Sequence, residues 1–482
     1  MKLSDLLSGM EAQYDSACAD IEISGIAYDS RRVTDGCLFV CLSGGAADGH
    51  EYAKAACERG AVAVVAEHMT DCSLPHVLVS DTRRAMFELS SAWFDHPERK
   101  MKFVGVTGTN GKTSTVYYIK GILDALGRKT GLIGTVANMI GDRTLPSNAT
   151  TPEPYELCSL LAEMARENVE YVVMEVSSHS IVQKRVCGIV FDAAVFTNLT
   201  QDHLDYHKTM ENYRAAKFKL FENAKTAVIN IDDKAGRELS ELVSCKKYTY
   251  SVLYNSADLV AKDIKQRPSG VGFLAVTLGG IGKISVASSG MFTVYNALAA
   301  VGAVCALGFE FSELLSAAAS LASVPGRAQI ISGERPYTVM IDYAHTPDGL
   351  ENILSTVRDG TSGRVITLFG CGGDRDRLKR PLMGNTAARL SDYVIVTSDN
   401  PRTENPADII NEILPGVKKC RTPFTVIENR REAIKYAIDM ARPGDTVVLA
   451  GKGHEKYQIL NTGKIDFDEE KIALDIMKEL DK

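Results

Sequence analysis

The sequence predicts an α/β protein built on parallel sheets in more than one domain. Three observations carry this reading. Short β-branched apolar runs recur along the chain, and each stops abruptly in glycine-rich or polar residues. Helical patterns separate these runs, as crossover connections between buried parallel strands require. The 482 residues exceed what one hydrophobic core organises, so about three domains are expected.

Taken in order, Phe103-Val104-Gly105-Val106 leads into Thr107-Gly108-Thr109-Asn110-Gly111-Lys112-Thr113, and Tyr171-Val172-Val173-Met174 leads into Glu175-Val176-Ser177-Ser178-His179. Ala193-Ala194-Val195-Phe196 ends in Thr197-Asn198-Leu199-Thr200-Gln201-Asp202-His203. Further on, Val365-Ile366-Thr367-Leu368-Phe369 ends in Gly370-Cys371-Gly372-Gly373-Asp374-Arg375, and Tyr393-Val394-Ile395-Val396 in Thr397-Ser398-Asp399-Asn400-Pro401-Arg402. Thr446-Val447-Val448-Leu449 ends in Ala450-Gly451-Lys452-Gly453-His454-Glu455. Ligands of such sheets bind beyond the carboxyl ends of the strands, which is where all of these polar motifs fall. Two breaks, the polar stretch from Asp95 to Lys100 and the turn Val324-Pro325-Gly326-Arg327, divide the chain into expected domains of 1–98, 99–328 and 329–482.

Composition narrows the function classes. A net charge of −7 with no basic run argues against nucleic acid as a partner. No apolar run approaches the roughly 20 residues of a membrane span, and the first residues lack a secretory pattern. The eleven cysteines show no paired ligand spacing, so neither zinc nor disulfides are expected, and a reduced cytoplasmic compartment fits.

The segment around Gly108, Thr109, Asn110, Gly111, Lys112, Thr113 and Ser114 joins a strand to a helical run over 113–126, with Gly127 placed to cap it. Glycines let the backbone approach a phosphate chain, and the amides of the helix start face the anion. Lys112 then reaches the terminal phosphates, and the Thr113 hydroxyl serves Mg²⁺. The spacing departs from the general Gly-x4-Gly-Lys pattern, since Val106 stands five before Gly111; a tight strand–helix turn is the other reading. Glu175 and His203 follow strands, where a carboxylate or imidazole either assists the metal or caps the turn. Tyr213, Ala216, Lys217, Leu220 and Phe221 form one helical stripe, so Lys217 lies among apolar residues while Arg214 and Lys219 point outward. Either Lys217 snorkels to the surface, or its ammonium is neutralised or modified inside a site.

Together, the loop at 107–113, Met174-Glu175-Val176-Ser177-Ser178-His179, Thr197-Asn198 with Asp202-His203-Leu204-Asp205, and Asp342-Tyr343-Ala344-His345 resemble the Mur ligase family. The resemblance spans nearly the whole chain and is strongest after residue 101. It implies three domains: an N-terminal one for a UDP-linked substrate, a central P-loop-type ATPase domain, and a Rossmann-like C-terminal one for the amino acid. It also implies a reaction of peptidoglycan synthesis. ATP phosphorylates the D-glutamate side chain of UDP-N-acetylmuramoyl-L-alanyl-D-glutamate, and the amine of meso-diaminopimelate attacks the acyl phosphate. The working enzyme is expected to be a cytoplasmic monomer.

By the same resemblance, Thr113, Glu175 and His203 belong to the magnesium environment. Lys217 carries a carbamate formed from CO₂, whose oxygens serve a second magnesium. Asn296 lies by the adenine, and Arg327 and Asp342 contact the nucleotide. Ser30, Thr150, Thr151, Ser177, Gln183 and Arg185 hold the muramoyl dipeptide, Arg185 as a bidentate carboxylate clamp. Gly45-Ala46-Ala47-Asp48-Gly49 stands where some relatives have a His-Gln pair before Ala-Asp-Gly. The amino-acid pocket comprises Arg375, Asp399, Asn400, Pro401, Arg402, Gly451 and Glu455. Diaminopimelate has a distal carboxylate that lysine lacks; Arg402 and Asn400 suit it, Arg375 suits the other carboxylate, and Glu455 an ammonium. The lysine-adding sibling is the alternative, ahead of a folylpolyglutamate-synthase relative or an NTP-dependent switch or motor; an unpaired arginine repels a lysine ammonium.

Overall fold

The computed structural model describes residues 1–44, 47–267, 270–319 and 321–480. Gly45 and Ala46, part of the substituted uridine-side segment, lie outside the described residues. The chain forms two compact units. The first comprises Met1–Gly105, Arg128–Asp192 and Lys219–Lys225; the second comprises Val106–Gly127, Ala193–Phe218 and Thr226–Lys482.

In the first unit, Gly25–Ala27, Cys37–Val40, Ala61–Ala66 and His76–Leu78 form a parallel sheet in that order. Leu38, Val40, Ala63 and Val65 bury one face of it with Met86 and Leu89 of the helix Thr82–Trp93. Asp81 caps that helix, accepting from the backbone N–H groups of Arg83 and Arg84 at 3.0 Å each. The same unit pairs Thr130–Ile133 in parallel with Tyr171–Glu175, which ends at the predicted carboxylate.

The second unit begins within the strand Lys102–Thr107, at Val106, and continues into the helix Lys112–Ala125. Leu126 is its C-terminal cap, and Gly127 follows with φ +73°, a conformation glycine adopts without strain. Ala193–Phe196, Thr226–Asn230, Lys246–Ser251 and Leu259–Arg267 are successive parallel neighbours, extended by the antiparallel strands Gly270–Thr277 and Gly280–Val286. A second sheet runs Gln329–Ile330, Thr338–Asp342, Thr446–Ala450, Val365–Phe369, Tyr393–Val396, Phe424–Val426, antiparallel only at its first edge. Along Thr446–Ala450, Val448 and Ala450 join one apolar cluster while Val447 and Leu449 join another. Both faces are thus covered, which is why these strands read as unbroken apolar runs.

The stripe containing Lys217 lies on a helix shorter than its spacing suggests. Met210–Phe218 is α-helical, and Lys219–Asn223 tightens to a 3₁₀ turn carrying Leu220 and Phe221. Lys217 is 1% exposed and does not reach the surface. Lys219 is exposed, and Arg214 pairs with Glu238 at 2.6 Å.

Candidate active site

The strand-to-helix turn of the second unit is shaped by two glycines. Gly108 and Gly111 have φ of +143° and +87°. A Cβ at Gly111 would lie 2.3 Å from Asn296 Oδ1, so the loop's path needs the missing side chain. A cavity of about 370 Å³ opens beside it, lined by Asn110, Gly111, Ser114, Asn296, Arg327 and Asp342 among others. Six of the expected nucleotide residues are therefore gathered around one hollow.

The loop is braced from below. Thr109 N–H donates to the Asn198 carbonyl at 2.9 Å, and Asn110 N–H donates to Asn198 Oδ1 at 2.9 Å. Asn110 Nδ2 also donates to Asp348 Oδ2 at 2.6 Å. Lys112 Nζ donates to the carbonyls of Gly108 and Thr109 at 2.9 and 2.8 Å. Arg327 Nη2 donates to Thr113 Oγ1 at 2.9 Å, and its guanidinium lies 4.5 Å from the Tyr343 ring centre. Burial pushes the Asp342 carboxyl above its ordinary range, against the pull of Arg327 and the N–H groups of Ala328 and Ala344. His345 donates from Nδ1 to the Tyr343 carbonyl at 2.9 Å; burial, with Lys379 nearby, pushes its pKa down to about 4.

Lys217 Nζ donates to the Gly108 carbonyl at 2.7 Å, the oxygen that also accepts from Lys112. Burial drives its pKa well below 10.5, and the Lys112 charge adds to this against an opposing pull from Asp202. The amine is accordingly held toward its neutral, nucleophilic form. His203, at φ +54°, is partly exposed, with Nε2 3.4 Å from Asp202 Oδ2. Among the described residues, no group of three His, Cys, Asp or Glu side chains is placed to hold a metal by itself.

Glu175 belongs to the first unit with the residues expected to hold the muramoyl dipeptide. It is 1% exposed; Oε1 accepts from Thr135 N–H at 2.8 Å and Oε2 from the Thr135 hydroxyl at 3.2 Å. The Thr150 and Thr135 hydroxyls are 2.9 Å apart, and Thr151 Oγ1 donates to the Glu175 carbonyl at 2.8 Å. Ser177 caps Ser178–Val182 by accepting from Ser180 N–H at 3.1 Å. Arg185 donates from Nε and Nη2 to Gln183 Oε1, from Nη1 to the Thr151 carbonyl, and pairs with Glu153 at 2.6 Å. The guanidinium is thus engaged by Gln183, Thr151 and Glu153 within the protein. Ser30 starts the short turn Ser30–Arg32, fixed by the Asp29 cap.

The second sheet of the second unit gathers the expected amino-acid residues at its strand ends. Asp399, Asn400 and Gly451 surround Lys452, which is fully buried. Lys452 Nζ donates to Asn400 Oδ1 at 3.0 Å, Glu455 Oε2 at 3.1 Å and Asp399 Oδ1 at 3.3 Å. Burial alone would raise the Asp399 pKa, yet Lys452 and Arg430 hold it below the ordinary range. Pro401 is buried, and Arg402, at φ +54°, is half-buried and donates to the Gly373 carbonyl at 2.7 Å. Burial and the charge of Arg375 weaken Arg402's hold on its proton. Arg375 is exposed and donates to its neighbour's carbonyl at 3.0 Å.

Several contributors escaped the sequence reading. Tyr343, His345 and Asp348 lie in or beside quoted motifs but received no role, and Tyr295, next to Asn296 in sequence, also lines the cavity. Arg430 and Glu469 form a fully buried pair at 2.7 Å, distant in sequence from every quoted motif. Lys452 stood inside a quoted motif unassigned, since a lysine between glycines carries no sequence mark of burial.

A phosphate-type loop beside a nucleotide-sized cavity, with a charged cluster at the strand ends of a second sheet, defines a nucleotide-using α/β enzyme. Comparison with known proteins takes the class further. The family models "Mur ligase family, catalytic domain", "Mur ligase middle domain" and "Mur ligase, glutamate ligase domain" match residues 22–93, 106–304 and 326–453. A UDP-N-acetylmuramoyl-L-alanyl-D-glutamate--2,6-diaminopimelate ligase of Clostridium acetobutylicum is 45% identical, covering 100% of both chains. The ligase of the same name from Caldanaerobacter subterraneus is 46% identical with the same coverage. A solved structure of an enzyme with that name superposes with a TM-score of 0.71 at 32% identity, over 100% of this chain and 99% of that one. The chain belongs to the Mur ligase family, and it is an ATP-dependent, amide-bond-forming ligase.

Proposed function

We propose that the protein joins meso-2,6-diaminopimelate to the D-glutamate carboxylate of UDP-N-acetylmuramoyl-L-alanyl-D-glutamate, as a cytoplasmic monomer in peptidoglycan synthesis. One observation carries the choice of amino acid. The half-buried Arg402, with Asn400 and Glu455 on adjoining strand ends, offers a cation, an amide and a carboxylate to a ligand bearing both carboxylate and ammonium. Full-length relatives named for 2,6-diaminopimelate support the reading. The lysine-adding sibling would leave Arg402 facing a like charge.

Segments 1–98, 99–328 and 329–482 would take the UDP substrate, ATP and the amino acid; the three separately matched segments support this division. Gly108 through Ser114 would cradle the phosphates, Asn296 the base side, and Arg327 and Asp342 the far wall of the cavity. Lys112 would stabilise charge on the phosphoryl group as it passes to the substrate carboxylate. The amine then attacks the acyl phosphate and phosphate leaves. Ser30, Thr150, Thr151, Ser177, Gln183 and Arg185 would hold the dipeptide substrate, and Arg375, Asp399, Asn400, Pro401, Arg402, Gly451 and Glu455 the incoming amino acid.

The donor set suits magnesium, which takes one or two protein oxygens together with phosphate oxygens. Within the second unit, Thr113, His203 and Lys217, once carboxylated by CO₂, would serve it, with Glu175 of the first unit a metal residue by the family resemblance alone, and bound magnesium would neutralise charge on the transferring phosphoryl group. The buried, neutral-leaning Lys217 amine is the form that combines with CO₂.

Phosphate release from ATP, measured with purified UDP-muramoyl dipeptide and each amino acid in turn, tests the whole. Release should require both the dipeptide and diaminopimelate. Release with lysine alone would sink the amino-acid assignment, and release without either substrate would sink the coupled reaction.

A further inference from the structure

The amino-acid pocket has a polarity that its ligand-facing residues do not set by themselves. An asparagine side chain carries an acceptor oxygen and a donor nitrogen of nearly equal size, so its use depends on which one faces a ligand. Asn400 is settled from behind. Its Oδ1 accepts from Lys452 Nζ and from Ile459 N–H, both at 3.0 Å. Its Nδ2 donates to Glu455 Oε2 at 2.8 Å. Two donors on one atom leave a single satisfied orientation, because the flipped amide would set N–H groups against N–H groups.

Glu455 is polarised by the same amine. Its Oε2 accepts from Lys452 and from Asn400, so Oε1 remains the acceptor for an incoming ammonium. Lys452 is held in turn. It is fully buried, it reaches Asp399 Oδ1, and the Asp399 carbonyl accepts from Gln458 Nε2 at 2.5 Å. A buried ammonium among two carboxylates and an amide oxygen is a fixed cation with little freedom to serve a substrate directly.

We propose that Lys452 is the positioning residue of the amino-acid pocket: it fixes the Asn400 amide nitrogen and Glu455 Oε1 as the donor and acceptor that read the ligand's carboxylate and ammonium. This rests on the diaminopimelate reading above.

Two variants of the full-length enzyme test it, after wild-type turnover with diaminopimelate is measured. Lys452→Met with Asp399→Asn removes a positive and a negative group together and leaves Glu455 with the Asn400 amide as its partner; Asp399→Asn alone is its control. Asn400→Asp keeps an acceptor for Lys452 and Ile459 but replaces the outward donor by an acceptor. In both the double variant and Asn400→Asp, KM for diaminopimelate should rise roughly tenfold or more, as expected for losing a charge-assisted hydrogen bond. The Asp399→Asn control should rise less than the double variant. KM for ATP should stay within about twofold, and the preference for diaminopimelate over lysine should narrow; a merely structural lysine would instead lower kcat and thermal stability and leave the preference intact. Asn400→Asp with an unchanged KM for diaminopimelate would overturn the proposal, even if the double variant fails to fold. So would a folded double variant that matches its control. Absent wild-type turnover with diaminopimelate would overturn the functional reading instead.

Discussion

Lys217 and Lys452 are both hidden, at 1% and 0% exposure, and both belong to the second unit. Their partners differ. Lys217 donates to the neutral Gly108 carbonyl, an oxygen it shares with Lys112, and lies 4.4 Å from the Tyr213 ring centre. Lys452 has Asp399 and Glu455 within 3.3 Å and the Asn400 oxygen between them. Burial disfavours the charged form of Lys217 and leaves it as a reactive amine, whereas Lys452 is enclosed by opposite charge. The cluster around Lys452 carries its own counter-charge, whereas in the proposed function the glycine-rich loop would meet its counter-charge in the phosphates.

The largest effect should come from breaking the pocket's ionic framework. Arg430 and Glu469 are both fully buried; Arg430 also donates to the Ala450 carbonyl at 2.9 Å and reaches the Ser398 carbonyl at 3.5 Å, beside Gly451 and Asp399. Arg430→Met strands the Glu469 carboxylate and should cost about 3–5 kcal/mol, read as a fall in the denaturation midpoint. A shift no larger than that of a surface control would mean the pocket does not depend on internal charge.

The same kind of substitution on the helix behind the glycine-rich loop should invert the outcome. Lys217→Met removes an amine that burial already disfavours as an ion, so stability should change by about 1 kcal/mol or less. Activity should fall on the order of 10²- to 10³-fold. Lys217→Ala should recover in part with a short carboxylic acid, which restores the oxygens of a carbamate. The pH dependence has a definite sign. The folded pKa of Lys217 is lowered, so the neutral amine is present above that value and is lost as pH falls through it. Dependence on added bicarbonate should therefore be steepest on the acid side. Full activity of Lys217→Ala in CO₂-depleted buffer would remove the carbamate.

The sequence disclosed the nucleotide loop more fully than the pocket, for a physical reason. Gly108 to Ser114 is contiguous, so its spacing shows both the left-handed turns and the helix start. Asn400, Arg402 and Glu455 were legible as strand-end polar residues, but the groups that orient them are remote or read ambiguously. Arg430 finds Glu469 across 39 positions, and Arg380 reaches Glu404 and Glu412 across 24 and 32. A lysine between glycines reads as solvated until its 0% exposure is seen. The β/α alternation was plain because both faces of the sheets are covered, while the chain's passage between units inside Lys102–Thr107 leaves no compositional mark. The tightening after Phe218 likewise left the Lys217 stripe looking like one continuous helix.

Arg402 gives the smallest and most selective effect. Its backbone is already left-handed, at φ +54°, so Arg402→Ala adds no clash and trades one unfavourable Cβ position for another. Its guanidinium donates to the Gly373 carbonyl, a neutral acceptor, and has the like charge of Arg375 nearby. A ligand carboxylate would relieve that repulsion, so the group is worth more bound than free. Losing a charge-assisted bond of about 1.5–3 kcal/mol predicts a KM for diaminopimelate raised roughly 10- to 100-fold, with KM for ATP within about twofold. Stability should hold or rise slightly, since a repelled charge leaves the pocket. Equal rises in both Michaelis constants would mean Arg402 shapes the sheet end rather than reading the amino acid. A rise confined to diaminopimelate, with lysine use unchanged or improved, would place the distal carboxylate at this guanidinium.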